Sequence, residues 1–109
     1  MSGGGGSGGP GGGFDPSAVQ TPCGDLRFKT TITSPQPAAS SLQVEDVLVV
    51  ALETEPRPVI RLFDQAGNLI GSVAAHLPDL LRCTQEGFPY EAEVLEIDGG
   101  QIKIEVRPA

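Results

Sequence analysis

Three observations predict a mainly β fold with one helix, a small six-stranded, partly open barrel whose short helix lies between the fourth and fifth strands. Val59 to Pro108 alternates strand-like runs with tight-turn residues, a Gly-Gly pair divides a hairpin, and a short amphipathic stripe starts near His76. Catalytic residue types are scarce along that half of the chain.

The 109 residues begin with a run in which nine of the first 13 are glycine. Such a run has no apolar side chain to bury and a high entropic cost of ordering, so residues 1–22 read as a flexible Gly/Pro-rich leader. Asp15-Pro16 and Thr21-Pro22 break any regular element there. Residues 23–109 then read as a single small β-barrel domain with one modest core.

From Leu26 to Ile32, Leu26, Phe28 and Ile32 alternate with Arg27, Lys29 and Thr31, the period of a half-buried strand. Ser34-Pro35-Gln36-Pro37 stops it, because proline cannot donate to a ladder. Ala38 to Leu42 suits one helical turn, and Glu45-Asp46 a tight turn. Val47 to Leu52 is apolar at both parities, which predicts a central strand covered on both faces. Pro56 and Pro58 stiffen the connection that follows.

Val59 to Phe63 and Leu69 to Val73 form a hairpin around Asp64-Gln65-Ala66-Gly67-Asn68. Gly71 within a strand marks a bulge, a bend or a close backbone approach. The helix runs from His76 or Leu77 to Glu86, with Pro78 in its first turn, Asp79 at the positive end of its dipole and Gly87 as its stop. Leu77, Leu80, Leu81 and Thr84 share its inner face, with Cys83 at the edge.

Gly99-Gly100 as a two-residue turn sets Ile97 opposite Ile102, Glu96 opposite Lys103 and Leu95 opposite Ile104. Beyond that point the polar and apolar sides fall out of phase. One extra residue near Glu93 or Val94 restores them, placing Ala92 beside Val106 and Glu91 beside Arg107, so a β-bulge is predicted there.

The formal net charge of -7 repels phosphate backbones and fits a neutral or basic partner. No apolar run is long enough for a membrane span and the N-terminus has no signal-peptide pattern, so a cytoplasmic location without membrane association is expected. In that compartment Cys23 and Cys83 are expected as free thiols, a disulfide between them being the alternative. His76, the only histidine, has no nucleophile-elbow pattern near it and suits a capping or surface role. A metal site would have to join Cys23, Cys83 and His76 without any paired ligand spacing, so no metal, cofactor or catalytic set is expected. Glu91, Glu93 and Glu96 read as a solvated outer surface.

Leu69-Ile70-Gly71-Ser72-Val73, Leu77-Pro78-Asp79-Leu80-Leu81, Gly87 and Tyr90-Glu91-Ala92-Glu93-Val94 together resemble the second half of HIRAN domains. The resemblance covers Val59 to Val106 and implies a small β-barrel of a family associated with single-stranded 3′ DNA ends. The family's ligand-reading segment, of the form Asn-x-x-Asp-x-x-Ala, is replaced here by Glu53 to Val59, so DNA binding does not transfer with the scaffold. The chain also resembles small bacterial proteins of no assigned activity, through Cys23, Leu42 to Val49, Gly71-Ser72, Cys83 and Gly99-Gly100.

These readings converge on a non-catalytic accessory or adaptor module that binds a protein partner, as a monomer or homodimer. The alternative is a HIRAN-like single-stranded nucleic-acid binder with Arg27, Lys29, Arg57 and Arg61 on phosphates and Phe28, Phe63 or Tyr90 as stacking platforms. For Phe28 and Phe63, core packing is the expected role. A small hydrolase is the remote third.

Overall fold

The computed structural model describes residues 21–109. The expected leader therefore lies outside the described residues, apart from Thr21 and Pro22. Six strands, β1 (Phe28–Thr31), β2 (Val47–Glu53), β3 (Val59–Phe63), β4 (Leu69–Val73), β5 (Tyr90–Asp98) and β6 (Gln101–Pro108), form one sheet in the order β1-β6-β5-β2-β3-β4. Helix α1 (Leu77–Gln85) lies between β4 and β5, as the sequence predicts.

All neighbours are antiparallel, so every odd-numbered strand starts at the end where every even-numbered one finishes. α1 and the chain before β1 therefore sit at one end, and the 3₁₀ turn Pro37–Ser41 with the two short hairpin turns at the other. The sheet curls into a half-barrel, and its outer strands are joined at one place. Thr33 and Ser72 exchange both backbone hydrogen bonds at 2.9 Å, and the Gln36 N–H donates to the Ile70 carbonyl at 2.8 Å.

Gly71 permits that closure. A Cβ there would lie 2.5 Å from the Ile32 Cγ2 and 3.0 Å from the Thr33 carbonyl oxygen. A close backbone approach is thus the reason for the glycine, and the β3–β4 register slips beside it, with Leu62 opposite Gly71 and Phe63 opposite Leu69.

The inward set is Leu48, Ile60, Leu62, Ile70, Ala92, Val94, Ile104 and Val106, all buried, with Leu80 and Cys83 of α1 packed against it. Cys83 is therefore at the centre of the helix's buried stripe and not at its edge, because the stripe that faces the sheet is Leu80 and Cys83, three apart. The helix stops as predicted. Gly87 has φ +93°, its N–H donates to the Thr84 carbonyl, and the Phe88 N–H donates to the Cys83 carbonyl.

The β5–β6 hairpin turns at Gly99-Gly100 with Ile97 opposite Ile102 and Glu96 opposite Lys103. The bulge is present but lies nearer the turn than Glu93 or Val94, where it is expected. Leu95 is the unpaired residue, and Val94, not Leu95, faces Ile104. The physical reason is burial: this placement keeps Val94 in the core directly beside Ile104, which the assumed Leu95–Ile104 pair would have prevented. Ala92 opposite Val106 and Glu91 opposite Arg107 are as predicted.

In the β3–β4 turn the Asp64 carboxylate accepts from the Asn68 side chain (3.0 Å) and from the N–H groups of Ala66 (2.9 Å) and Asn68 (2.8 Å). These bonds, the Asn68 side chain foremost, hold its pKa below the usual 3.8. A depressed carboxylate stabilises the fold fully above its unfolded value and loses that contribution as pH falls through the folded value. Asp64→Ala is therefore expected to unfold at lower denaturant than the parent at pH 7. The two midpoints should converge as the pH drops below 3.8, which equilibrium unfolding at several pH values will check.

Candidate functional site

The strand pairings place the outward side chains in rows across the sheet. One row reads Leu69, Phe63, Val49, Glu91, Arg107, running from β4 to β6. The next contains Val47 and Glu93 with Glu105, and Lys29 completes it on β1. The outer face thus carries an apolar cluster, Val47, Val49, Phe63 and Leu69, at the hairpin-turn end of β2, β3 and β4, with the Arg61–Glu53 ion pair further along those strands, and a charged half on β5, β6 and β1.

The charged half is self-contained. Arg107 is bonded to Glu91 (2.9 Å), Glu93 (2.5 Å) and Glu105 (3.4 Å), and Arg27 lies 3.7 Å from Glu105. Glu93 and Glu105 sit directly opposite each other, so without Arg107 they would repel. Hydrogen bonds to Glu93 and then Glu91 push the Arg107 pKa above its already high ordinary value. Glu91 and Glu93 share the outer surface as expected, but as partners of this arginine and not as free solvated charges. Glu96, beyond the bulge, pairs with Lys103 at 3.8 Å.

The apolar cluster has no such closure. Val49 is 43% exposed in the middle of a central strand, with half-buried Val47, Ala51, Phe63 and Leu69 around it. The expectation that both faces of Val47 to Leu52 are covered is corrected here. Leu48, Val50 and Leu52 face the core, but on the opposite face Val49 is exposed and Val47 and Ala51 are only half-buried, with the Gln65 side chain donating to the Val47 carbonyl at 2.8 Å. The signal for this site was in the sequence, in the second apolar parity, which the described residues leave partly uncovered.

At the helix end, Cys23 and Cys83 are joined in a disulfide with Cα atoms 5.5 Å apart, which corrects the expectation of free thiols. Cys23 precedes β1 at the end of the barrel that α1 covers, so a separation of 60 residues in sequence becomes contact in space. The Tyr90 hydroxyl donates to the Cys23 carbonyl at 2.5 Å, and burial raises the phenol above its usual pKa. Arg82 donates to the Thr21 carbonyl (3.0 Å) and pairs with Asp79 (3.3 Å), holding the same segment on the helix.

His76 occupies the residue before α1 with φ +53°, but its side chain makes no capping hydrogen bond. Its ring packs on Phe28, with centroids 4.4 Å apart. Among the described residues no three His, Cys, Asp or Glu side chains group as metal ligands would.

The four cations of the nucleic-acid alternative are not gathered. Arg27 precedes β1 and Lys29 lies on it, Arg61 is on β3 in an ion pair with Glu53 at 2.7 Å, and β6, β5 and β2 lie between those strands in the sheet. Arg57 is in the β2–β3 connection. Of the three aromatic platforms, Tyr90 is buried and Phe28 packs inward, as core packing anticipates for Phe28, whereas Phe63 lies on the outer face beside Val49.

Comparison with known protein families, with characterised proteins and with solved structures found no match.

Proposed function

We propose that the chain is a non-catalytic accessory module that binds a protein partner through the outer face of β2, β3 and β4. The observation that carries this reading is the apolar cluster on that face, centred on the exposed Val49. Isolated exposed apolar residues are ordinary, but Val47, Val49, Phe63 and Leu69 are neighbours across three strands. A contiguous patch on a central strand is the kind of surface that a partner desolvates. Cys23 and Cys83 are bonded to each other and the Tyr90 hydroxyl to a backbone carbonyl, so none of these three groups is free on that face. The charge of -7 favours a neutral or basic partner.

The disulfide also bears on location. Such bonds persist in oxidising compartments, so it supports a site of folding outside the reducing cytosol, in place of the cytoplasmic expectation. No helix among the described residues is long and apolar enough to cross a membrane.

The test is size-exclusion chromatography of the chain with the product of a neighbouring gene that co-purifies with it. Val49→Lys is expected to weaken co-elution at least about tenfold, the effect of losing a central contact, while Lys103→Glu leaves it unchanged. Equal co-elution of Val49→Lys and the parent contradicts the reading. So does a chain that is dimeric alone and becomes monomeric in Val49→Lys, since the face would then belong to a second copy.

A further inference from the structure

The two ends of the half-barrel are closed to different degrees, and the difference defines a second site. α1 seals one end with Leu80 and Cys83, both fully buried. The other end has only the 3₁₀ turn Pro37–Ser41, which contributes one buried residue, Ala39. Beside it lies a cleft of about 530 Å³ between the 35–42 segment and the tip of the β5–β6 hairpin. Ile97 and Ile102 are directly paired and so share the inner face, yet Ile102 is 5% exposed and Ile97 39%. Ile97 is an inward-facing apolar side chain that the described chain covers only in part.

The chemistry of the walls narrows what fits. None of the ten residues lining the cleft is charged, in a chain carrying 21 Asp, Glu, Lys and Arg residues, so the site selects against ions. Several of its hydrogen-bond donors are spent internally or missing. Pro35 and Pro37 have no N–H to offer. Gln36 donates its backbone N–H to Ile70 (2.8 Å) and its side-chain amide to the Ser34 carbonyl (2.9 Å), and the Ser40 hydroxyl donates to the Pro37 carbonyl (2.9 Å). A sugar or nucleotide placed there would leave its own polar groups unpaired, which costs free energy. A hydrocarbon loses nothing, and barrel mouths of this size are where small ligands bind.

We propose that this mouth is a binding site for a small uncharged aliphatic ligand, seated on Ile97 and Ile102 against Pro35, Pro37 and Leu42. The site is separate from the outer apolar face, which turns away from the barrel interior. The probe is the neutral fluorophore N-phenyl-1-naphthylamine, titrated into the full chain and displaced with 1-decanol. Methyl NMR of the isoleucines serves as the positional readout.

Saturable binding is expected, with displacement by decanol and with the Ile97 and Ile102 methyl resonances moving most. Ile97→Lys, at an exposed position, is expected to weaken binding at least tenfold. Ser40→Leu, which fills the mouth without adding charge, should do the same. Val49→Lys should leave the affinity unchanged, so the fate of this site and that of the protein-binding face are read separately. Absence of saturable binding, failure of decanol to compete, or affinity retained in both mouth variants would overturn the proposal, as would loss in Val49→Lys alone.

Discussion

Reduction of the Cys23–Cys83 disulfide, or its replacement by Cys23→Ser with Cys83→Ser, is expected to cost about 4 kcal/mol of folding stability. The bond closes a 60-residue separation, and the loss of chain entropy in the unfolded state scales with the logarithm of loop length. For a domain of this size total stability is on the order of 5–15 kcal/mol, so the loss is a large share of it. The midpoint of thermal unfolding should fall by about 4–8 °C for each kcal/mol. Denaturant titration with and without dithiothreitol measures it. Thiol counting under denaturing, non-reducing conditions should find neither cysteine reactive. An unchanged midpoint on reduction would mean that the staple between the N-terminal segment and α1 does not support the fold.

The second large effect is at Gly71. The atoms that a Cβ would meet have nowhere to go. Ile32 is a buried side chain, and the Thr33 carbonyl is bonded to the Ser72 N–H at 2.9 Å. Gly71→Ala must either displace Ile32 or open the Thr33–Ser72 closure, and overpacking of this kind costs about 1–3 kcal/mol. Gly71→Val should cost more. Amide exchange distinguishes the two routes, because opening the closure exposes the N–H groups of Thr33 and Ser72. A Gly71→Ala variant as stable as the parent, with both amides still protected, would show that the outer strands are not held together here.

Much of the fold was readable because local chemistry and tertiary structure agree. Pro78, Asp79 and Gly87 each suit the helix position they occupy, and Gly99-Gly100 sets the start of its hairpin. The bulge was legible as a phase slip along the β5–β6 hairpin, but its residue was not: alternation placed it at Glu93 or Val94, and it lies at Leu95. Only packing against Ile104 decides. The disulfide was illegible for a different reason. Two cysteines 60 residues apart carry no local signal, and their meeting depends on which barrel end α1 covers. The candidate interface lay in between. The apolar run at Val47 to Leu52 announced two buried faces, and among the described residues only one of them is buried in the core.

Whether a partner covers the other is best measured by replacing Val49 with a photocrosslinking amino acid and irradiating the full chain with a protein found to co-purify with it. A probe at Lys103, on the opposite half of the sheet, serves as the reference. A single crosslinked band of defined mass from position 49, much stronger than from position 103, is the predicted result. Equal crosslinking from both positions, or none from position 49 while the complex persists, would contradict the assignment of this face as the docking surface.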